Sequence, residues 1–96
     1  MRLEFTPAAH RDIENIWRHS FEQFGLRQAE VYLRNIQHAA QTVADGPRRG
    51  RSCDDIRAGY RKFPVGSHVL FFRVADETVI VVRILHQRMD FERHLK

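Results

Sequence analysis

Residues 68–86 read HVLFFRVADETVIVVRILH, and this stretch decides the fold. Two apolar runs, Val69–Phe72 and Val79–Val82, flank a charged tip at Ala75-Asp76-Glu77. Short runs rich in β-branched and aromatic residues read as strands. A connection this short pairs them antiparallel. The reading gives one strand over His68–Val74 and another over Thr78–His86. Both runs are nearly continuous in apolar residues rather than alternating, so the sheet is expected to be covered on both faces.

Upstream, Pro64-Val65-Gly66-Ser67 reads as a turn. Ile56–Phe63 before it is expected to be the first strand of a three-stranded meander, carrying Arg57, Arg61 and Lys62. A period of two puts Arg57 and Arg61 on one face and Lys62 on the other. Residues 48–55 are polar and punctuated, and read as a loop. From Leu26 to Ala44, the residues Ala29, Tyr32, Leu33, Ile36, Ala40 and Val43 form the apolar stripe of a helix. Asp45-Gly46-Pro47 stops it. An earlier helix begins at Thr6-Pro7, since Thr caps and Pro suits the first helical position. Ile13, Ile16, Trp17, Phe21 and Phe24 make its stripe, and Gly25 ends it. A connection of one glycine predicts an antiparallel helical hairpin. Leu3-Glu4-Phe5 alternates as a short first strand, and Gln87–Lys96 is expected to close with a short helical turn.

The order β-α-α-β-β-β defines an α+β domain over residues 1–96, with a helical hairpin on one face of a mainly antiparallel sheet. The hairpin covers one face. The other is left to the tail, to a second copy or to a segment of a partner, and the expectation is a partner.

Composition narrows the setting. The chain has 96 residues, 43% hydrophobic and 29% charged, as in globular rather than disordered proteins. The single Cys53 forms no internal disulfide, and a cytoplasmic setting is the simpler expectation. No apolar run approaches the roughly 18 residues of a membrane span, and the N-terminus has no signal-peptide core. The net charge of +4 is uneven. Residues 1–47 hold five Arg against six acidic residues, whereas residues 48–96 hold nine Arg and two Lys against six. Arg favours bidentate contact with carboxylates and phosphates, so an acidic protein segment or a nucleic acid suits this half. A solvated basic surface would look the same.

Several residues stand out. Arg73 shares a strand face with Val69 and Phe71, and Arg83 with Val79, Val81 and Leu85. Charges at core-like positions require partners. Arg83 either pairs internally, with Asp90 or Glu92 as rivals, or meets a partner or substrate. Arg57 and Arg61 either meet an acidic partner or protect an edge strand by charge. His86 ends the last strand, with His68 and His94 within possible approach, and histidine can perform acid–base chemistry or a structural role. No spacing matches a metal site. Cys53 has no evident activating base. Trp17, Tyr32 and the Phe residues suit core and interface, and Tyr60 suits packing or base stacking.

Four segments together resemble the ParE branch of the RelE/ParE toxin family. They are Thr6-Pro7-Ala8-Ala9 through Asp12-Ile13, Ile16 and Trp17; residues 57–68 (RAGYRKFPVGSH); Phe71-Phe72-Arg73-Val74; and residues 82–90 (VRILHQRMD). The resemblance spans almost the whole chain in order. It implies a toxin of a type II toxin–antitoxin system, neutralised by a ParD-like antitoxin whose N-terminal part binds DNA and whose C-terminal segment wraps the toxin. It further implies inhibition of DNA gyrase, with no cofactor and no direct DNA binding by the toxin alone. On this reading, Arg57, Arg61, Arg73, Arg83, Trp17 and Phe21 meet the antitoxin, and His86, Arg88, Met89 and Arg93 meet the target. The alternative within the family is a RelE-like ribosome-dependent mRNA endonuclease using Arg61, Arg83 and His86, with His94 as a further tail group. Against it, no Tyr follows Tyr60, and Lys62 is the one Lys near the first meander strand. A degenerate toxin that only binds its antitoxin is a third reading.

Overall fold

In a computed structural model, which describes residues 1–95, the chain begins with β1 (Arg2–Phe5), α1 (Pro7–Phe24) and α2 (Leu26–Asp45). A 3-10 turn (Pro47–Arg49) and β2 (Arg51–Ser52) follow. The chain then runs through β3 (Arg61–Val65), β4 (His68–Ala75), β5 (Thr78–His86) and α3 (Phe91–Leu95). The five strands lie in the order β1-β5-β4-β3-β2. β1 is parallel to β5 and every other pairing is antiparallel.

Local chemistry sets the helix boundaries. Thr6 caps α1, its Oγ1 accepting from the Ala9 N–H at 3.1 Å, and Pro7 supplies the first helical residue. Gly25 reverses the chain at φ +88°, a conformation that favours glycine, and donates its N–H to Phe21 O. α1 and α2 press Ala9, Ile16, Ile36, Ala40 and Val43 onto Leu70, Phe72, Val79, Val81 and Ile84 of the sheet. Small residues on α2 let the helix approach closely, and Phe72 and Leu70 fill the space opposite.

The opposite face carries a second cluster of Cys53, Phe71, Val82, Leu85 and Leu95, with Ile56, Tyr60, Val69, Ile80 and Phe91 packed against it. The sheet is therefore buried on both sides, as its apolar runs require. The cover differs from expectation: residues 53–60 and α3 close this face from within the same chain. Phe91 meets Phe71 edge-on at 4.9 Å between ring centres.

The first meander strand also differs. It occupies Arg61–Val65, not Ile56–Phe63. Residues 53–60 instead form a closed loop. The Ile56 and Arg57 N–H groups both donate to Cys53 O, and the Cys53 N–H donates to Tyr60 O. The Gly59 N–H donates to Asp54 Oδ1 at 2.7 Å, with Gly59 at φ +83°. Asp54 and Gly59 thus divert the chain before extension can start. Pro64, expected in a turn, lies inside β3. β2 pairs only with Arg61 and Lys62, so Pro64 sits where β3 has no outer neighbour and a missing N–H is tolerated.

The β4–β5 hairpin turns through Asp76 at φ +50° and Glu77 at φ +57°. Two consecutive positive φ angles define a type I′ turn, which matches strand twist but strains residues bearing a Cβ. Replacing Asp76-Glu77 by Asn-Gly is expected to raise the unfolding free energy by about 1 kcal/mol. Urea denaturation with an unchanged m-value checks it.

Candidate functional site

β1 pairs with β5 only as far as Phe5 opposite Val81. Beyond that point side chains replace the missing strand. The Thr6 N–H donates to Val81 O at 3.0 Å, and Thr6 Oγ1 donates to Val82 O at 2.8 Å. Asp12 of α1 then accepts the Ile84 N–H at 2.9 Å. The same carboxylate takes Arg83 in a fork, with Nε to Oδ2 at 2.8 Å and Nη2 to Oδ1 at 2.9 Å. The bidentate bond to Asp12 outweighs desolvation and raises the Arg83 pKa above its usual value. Arg83 therefore pairs internally, but with Asp12 rather than Asp90 or Glu92.

Sequence reasoning missed Asp12, although a signal was present. It lies on the apolar side of α1, three residues beyond buried Ala9 and four before buried Ile16. A bulge between Phe71 and Phe72 also shifts the β5 register: Phe71 opposes Arg83 and Phe72 opposes Val81, leaving Val82 extra. This breaks the strict alternation that had grouped Arg83 with Val79 and Val81.

The other arginines separate. Arg57 is not on a strand and shares no face with Arg61. Its Nη1 donates to Leu95 O at 2.7 Å and its guanidinium lies 5.2 Å from the centre of the Tyr60 ring, fastening α3 to the 53–60 loop. Arg61 donates to Pro47 O at 3.1 Å and Gly50 O at 2.6 Å, holding the 3-10 turn against β3. Arg73 is half-buried beside Tyr60, Val82, Arg83 and His94 and makes no hydrogen bond or ion pair among the described residues. Arg61, Arg83 and His86 line three separate cavities, so the trio proposed for RNA cleavage is not assembled.

Trp17 and Phe21 stack on α1 with ring centres 5.3 Å apart. Trp17 also lines a shallow groove with Ile13 and Leu33, and Phe21, Phe24 and Leu26 stand exposed at the hairpin end. His86, Arg88 and Met89 form the exit from β5: the Arg88 N–H donates to His86 Nδ1 and the Met89 N–H to His86 O. Arg93 follows on α3, its N–H donating to Asp90 Oδ1. Arg88, Met89 and Arg93 are exposed.

At the hairpin end a cavity of about 400 Å³ gathers His19, Tyr32, His68 and His86. His68 and His86 oppose each other across β4 and β5, with ring centres 5.3 Å apart. Tyr32 Oη lies 2.6 Å from His68 Nδ1 and accepts the Ser67 N–H at 3.0 Å. Burial is the main cause that lowers the His68 pKa to about 4, with His86 and then His19 adding to the effect and Asp12 opposing it. Burial likewise raises the Tyr32 phenol. The sequence grouped His68 with His86 but gave no sign of Tyr32, whose place on the α2 stripe read as packing.

Helical hairpin, five-stranded sheet and capped second face define the toxin fold of the RelE/ParE superfamily. The solved ParDE system from P. aeruginosa includes a chain of this fold, with a TM-score of 0.79 at 20% identity over 90% of this chain and 95% of that one. The RelBE2 toxin–antitoxin complex of Mycobacterium tuberculosis gives 0.66 at 23% identity, over 90% and 96%. Residues 3–91 match the family described as the ParE toxin of the type II toxin–antitoxin system, parDE. The protein named Toxin ParE1 of M. tuberculosis is 53% identical over 95 residues, 98% of this chain and 97% of its own. Toxin ParE1 of Caulobacter vibrioides is 39% identical, over 91% and 90%. The chain belongs to the ParE toxin family and is the toxin component of a type II toxin–antitoxin system.

Two outcomes follow from this geometry. Asp12→Ala strands Arg83 and the Ile84 N–H together and is expected to cost about 2–3 kcal/mol. The Asp12→Ala/Arg83→Ala pair should cost clearly less than the two single changes added, as read from a double-mutant cycle in urea. For His68, the folded pKa lies below the unfolded value of 6.5, so the unfolded chain takes up the proton first. This contribution is complete above pH 6.5 and is lost as pH falls towards 4. Stability should decline across that window, and His68→Gln should flatten the decline in pH-dependent thermal melts.

Proposed function

We propose that this toxin inhibits DNA gyrase, and so replication, until a ParD-like antitoxin neutralises it. The carrying observation is the membership of nearly the whole chain in the ParE family. The dispersal of Arg61, Arg83 and His86 over separate cavities further favours a toxin acting by binding over an mRNA endonuclease. A gyrase inhibitor acts on the chromosome and therefore in the cytoplasm.

The antitoxin surface begins at the helical hairpin, where the Trp17–Phe21 stack and the exposed Phe24 and Leu26 offer apolar anchors. Arg73, half-buried and uncommitted to any carboxylate among the described residues, suits an acidic group of the antitoxin segment. Arg57, Arg61 and Arg83 already spend donors inside the fold and serve chiefly to shape the surface. The gyrase-facing surface is the corner formed by half-buried His86 and exposed Arg88, Met89 and Arg93.

Purified toxin should block gyrase supercoiling of relaxed plasmid and leave ribosome-bound mRNA intact. Cleaved mRNA with unaffected supercoiling would reverse the assignment. Trp17→Ala/Phe21→Ala should weaken antitoxin binding about 30-fold, equivalent to about 2 kcal/mol, while preserving gyrase inhibition.

A further inference from the structure

The cavity at the hairpin end presents two imidazole nitrogens that no other described residue engages. Tyr32 Oη accepts from the Ser67 N–H and has two partners for its own proton, Val65 O at 3.2 Å and His68 Nδ1 at 2.6 Å; we assign the proton to His68 Nδ1, the shorter contact. Neutral His68 then carries its hydrogen on Nε2. His86 Nδ1 accepts from the Arg88 N–H, which places the neutral ring's hydrogen on Nε2 as well. Neither Nε2–H has an acceptor among the described residues. Both rings line the same cavity, side by side on adjacent strands.

The rest of the lining narrows the ligand. Phe24, Val31 and the Tyr32 ring give apolar walls, and Phe24 stands 69% exposed at the rim. The ten lining residues include no Asp, Glu, Lys or Arg. A doubly charged phosphate would therefore meet no permanent cation. A cationic ligand would meet no carboxylate, only neutral groups: imidazoles, hydroxyls and the side-chain amides of Gln28 and Asn35. Two N–H donors above an apolar wall match the two oxygens of one carboxylate attached to an apolar body.

We propose that the cavity between the helical hairpin and the ends of β4 and β5 binds a carboxylate, held by the Nε2–H groups of His68 and His86, with its apolar portion against Phe24 and Val31. The carboxylate belongs either to a free aromatic or aliphatic acid or to a Glu or Asp side chain of a protein segment. The site shares His86 with the proposed gyrase-facing corner and Phe24 with the proposed antitoxin surface, but it is argued from its own lining and its test uses neither protein, so it stands whether or not gyrase is the target.

Binding is coupled to protons. His68 is surrounded by His86 of β5, His19 and Asp12 of α1 and Tyr32 of α2, and burial makes it resist protonation. A bound carboxylate favours the charged imidazole, so affinity rises as pH falls.

Histidine-detected NMR on the purified full chain tests this, with benzoate and the peptide acetyl-Leu-Glu-Leu-amide as probes. Saturable shifts at His68 and His86 are expected, with affinity about tenfold tighter at pH 5.5 than at pH 7.5, the effect of a bound carboxylate that returns the His68 pKa from about 4 to its ordinary 6.5. Phe24→Ala, at an exposed position, should weaken binding without unfolding the protein. His68→Gln should remove most of the pH dependence, and one-dimensional spectra check that it folds. Response to benzoate alone assigns a free acid, and tighter binding of the peptide assigns a protein side chain. The proposal fails if neither probe shifts these rings, if inorganic phosphate shifts them equally, or if affinity is the same at both pH values.

Discussion

The end of β1 sets the constraint on which the rest of the structure depends. β5 has a strand on each side only through Val81. From Val82 onward its outer edge would expose polar backbone to the packed junction with α1. The chain answers with the first turns of the helix that follows β1: Thr6 takes Val82 O, and Asp12 takes the Ile84 N–H together with Arg83. One carboxylate thus completes the backbone pairing of a core strand and neutralises a cation that sits among apolar neighbours. An unpaired backbone group or charge here would be far costlier than at an open surface. The α1 N-terminus is therefore fixed in position and direction, and with it the whole hairpin.

That fixation shapes the two faces of the sheet differently. On the helical side, the anchored hairpin supplies a broad cover with small side chains on α2. On the other side, cover is assembled from two short pieces, the 53–60 loop and α3, joined by Arg57 through Leu95 O and the Tyr60 ring. A five-residue helix carries little stability of its own and depends on packing such as Phe91 against Phe71 and the burial of Leu95. An interacting protein that engages Arg88, Met89 and Arg93 would contact this lighter cover, while one that engages Trp17 and Phe21 would contact the rigid side. The two proposed surfaces thus differ in the structure beneath them as well as in position.

Much of this was legible in the sequence because the signals were local. Thr6-Pro7, Gly25 and Asp45-Gly46-Pro47 punctuate the helices by caps and breakers, and the Asp76-Glu77 tip falls between two unmistakable apolar runs. What was illegible depended on non-local pairing. Ile56 to Phe63 has the composition of a strand, but Asp54 reaching Gly59 closes a loop first. β2 was missed because two residues give no periodicity, and pairing with Arg61 and Lys62 alone defines it. The bulge at Val82 inverted the face assignments beyond Val82, so that Ile84 joins Val79 and Val81 while Leu85 joins Val82, and period-two reasoning has no way to see an inserted residue. The tail was read correctly as helical, although its covering role was given to a partner.

The charge pattern acquires a different meaning once these partners are known. The excess of basic residues in the second half suggested a surface built for acidic ligands. Three of its arginines instead bind within the chain: Arg57 and Arg61 to backbone carbonyls, and Arg83 to Asp12. Carbonyls are neutral, so Arg57 and Arg61 keep their full positive charge while losing conformational freedom. A fixed guanidinium loses less entropy on meeting a carboxylate than a free one, but it has fewer N–H groups left to offer. Such residues leave a positive potential at the sheet edge. The tight contacts then fall to groups still uncommitted, of which Arg73 is the half-buried example beside α3.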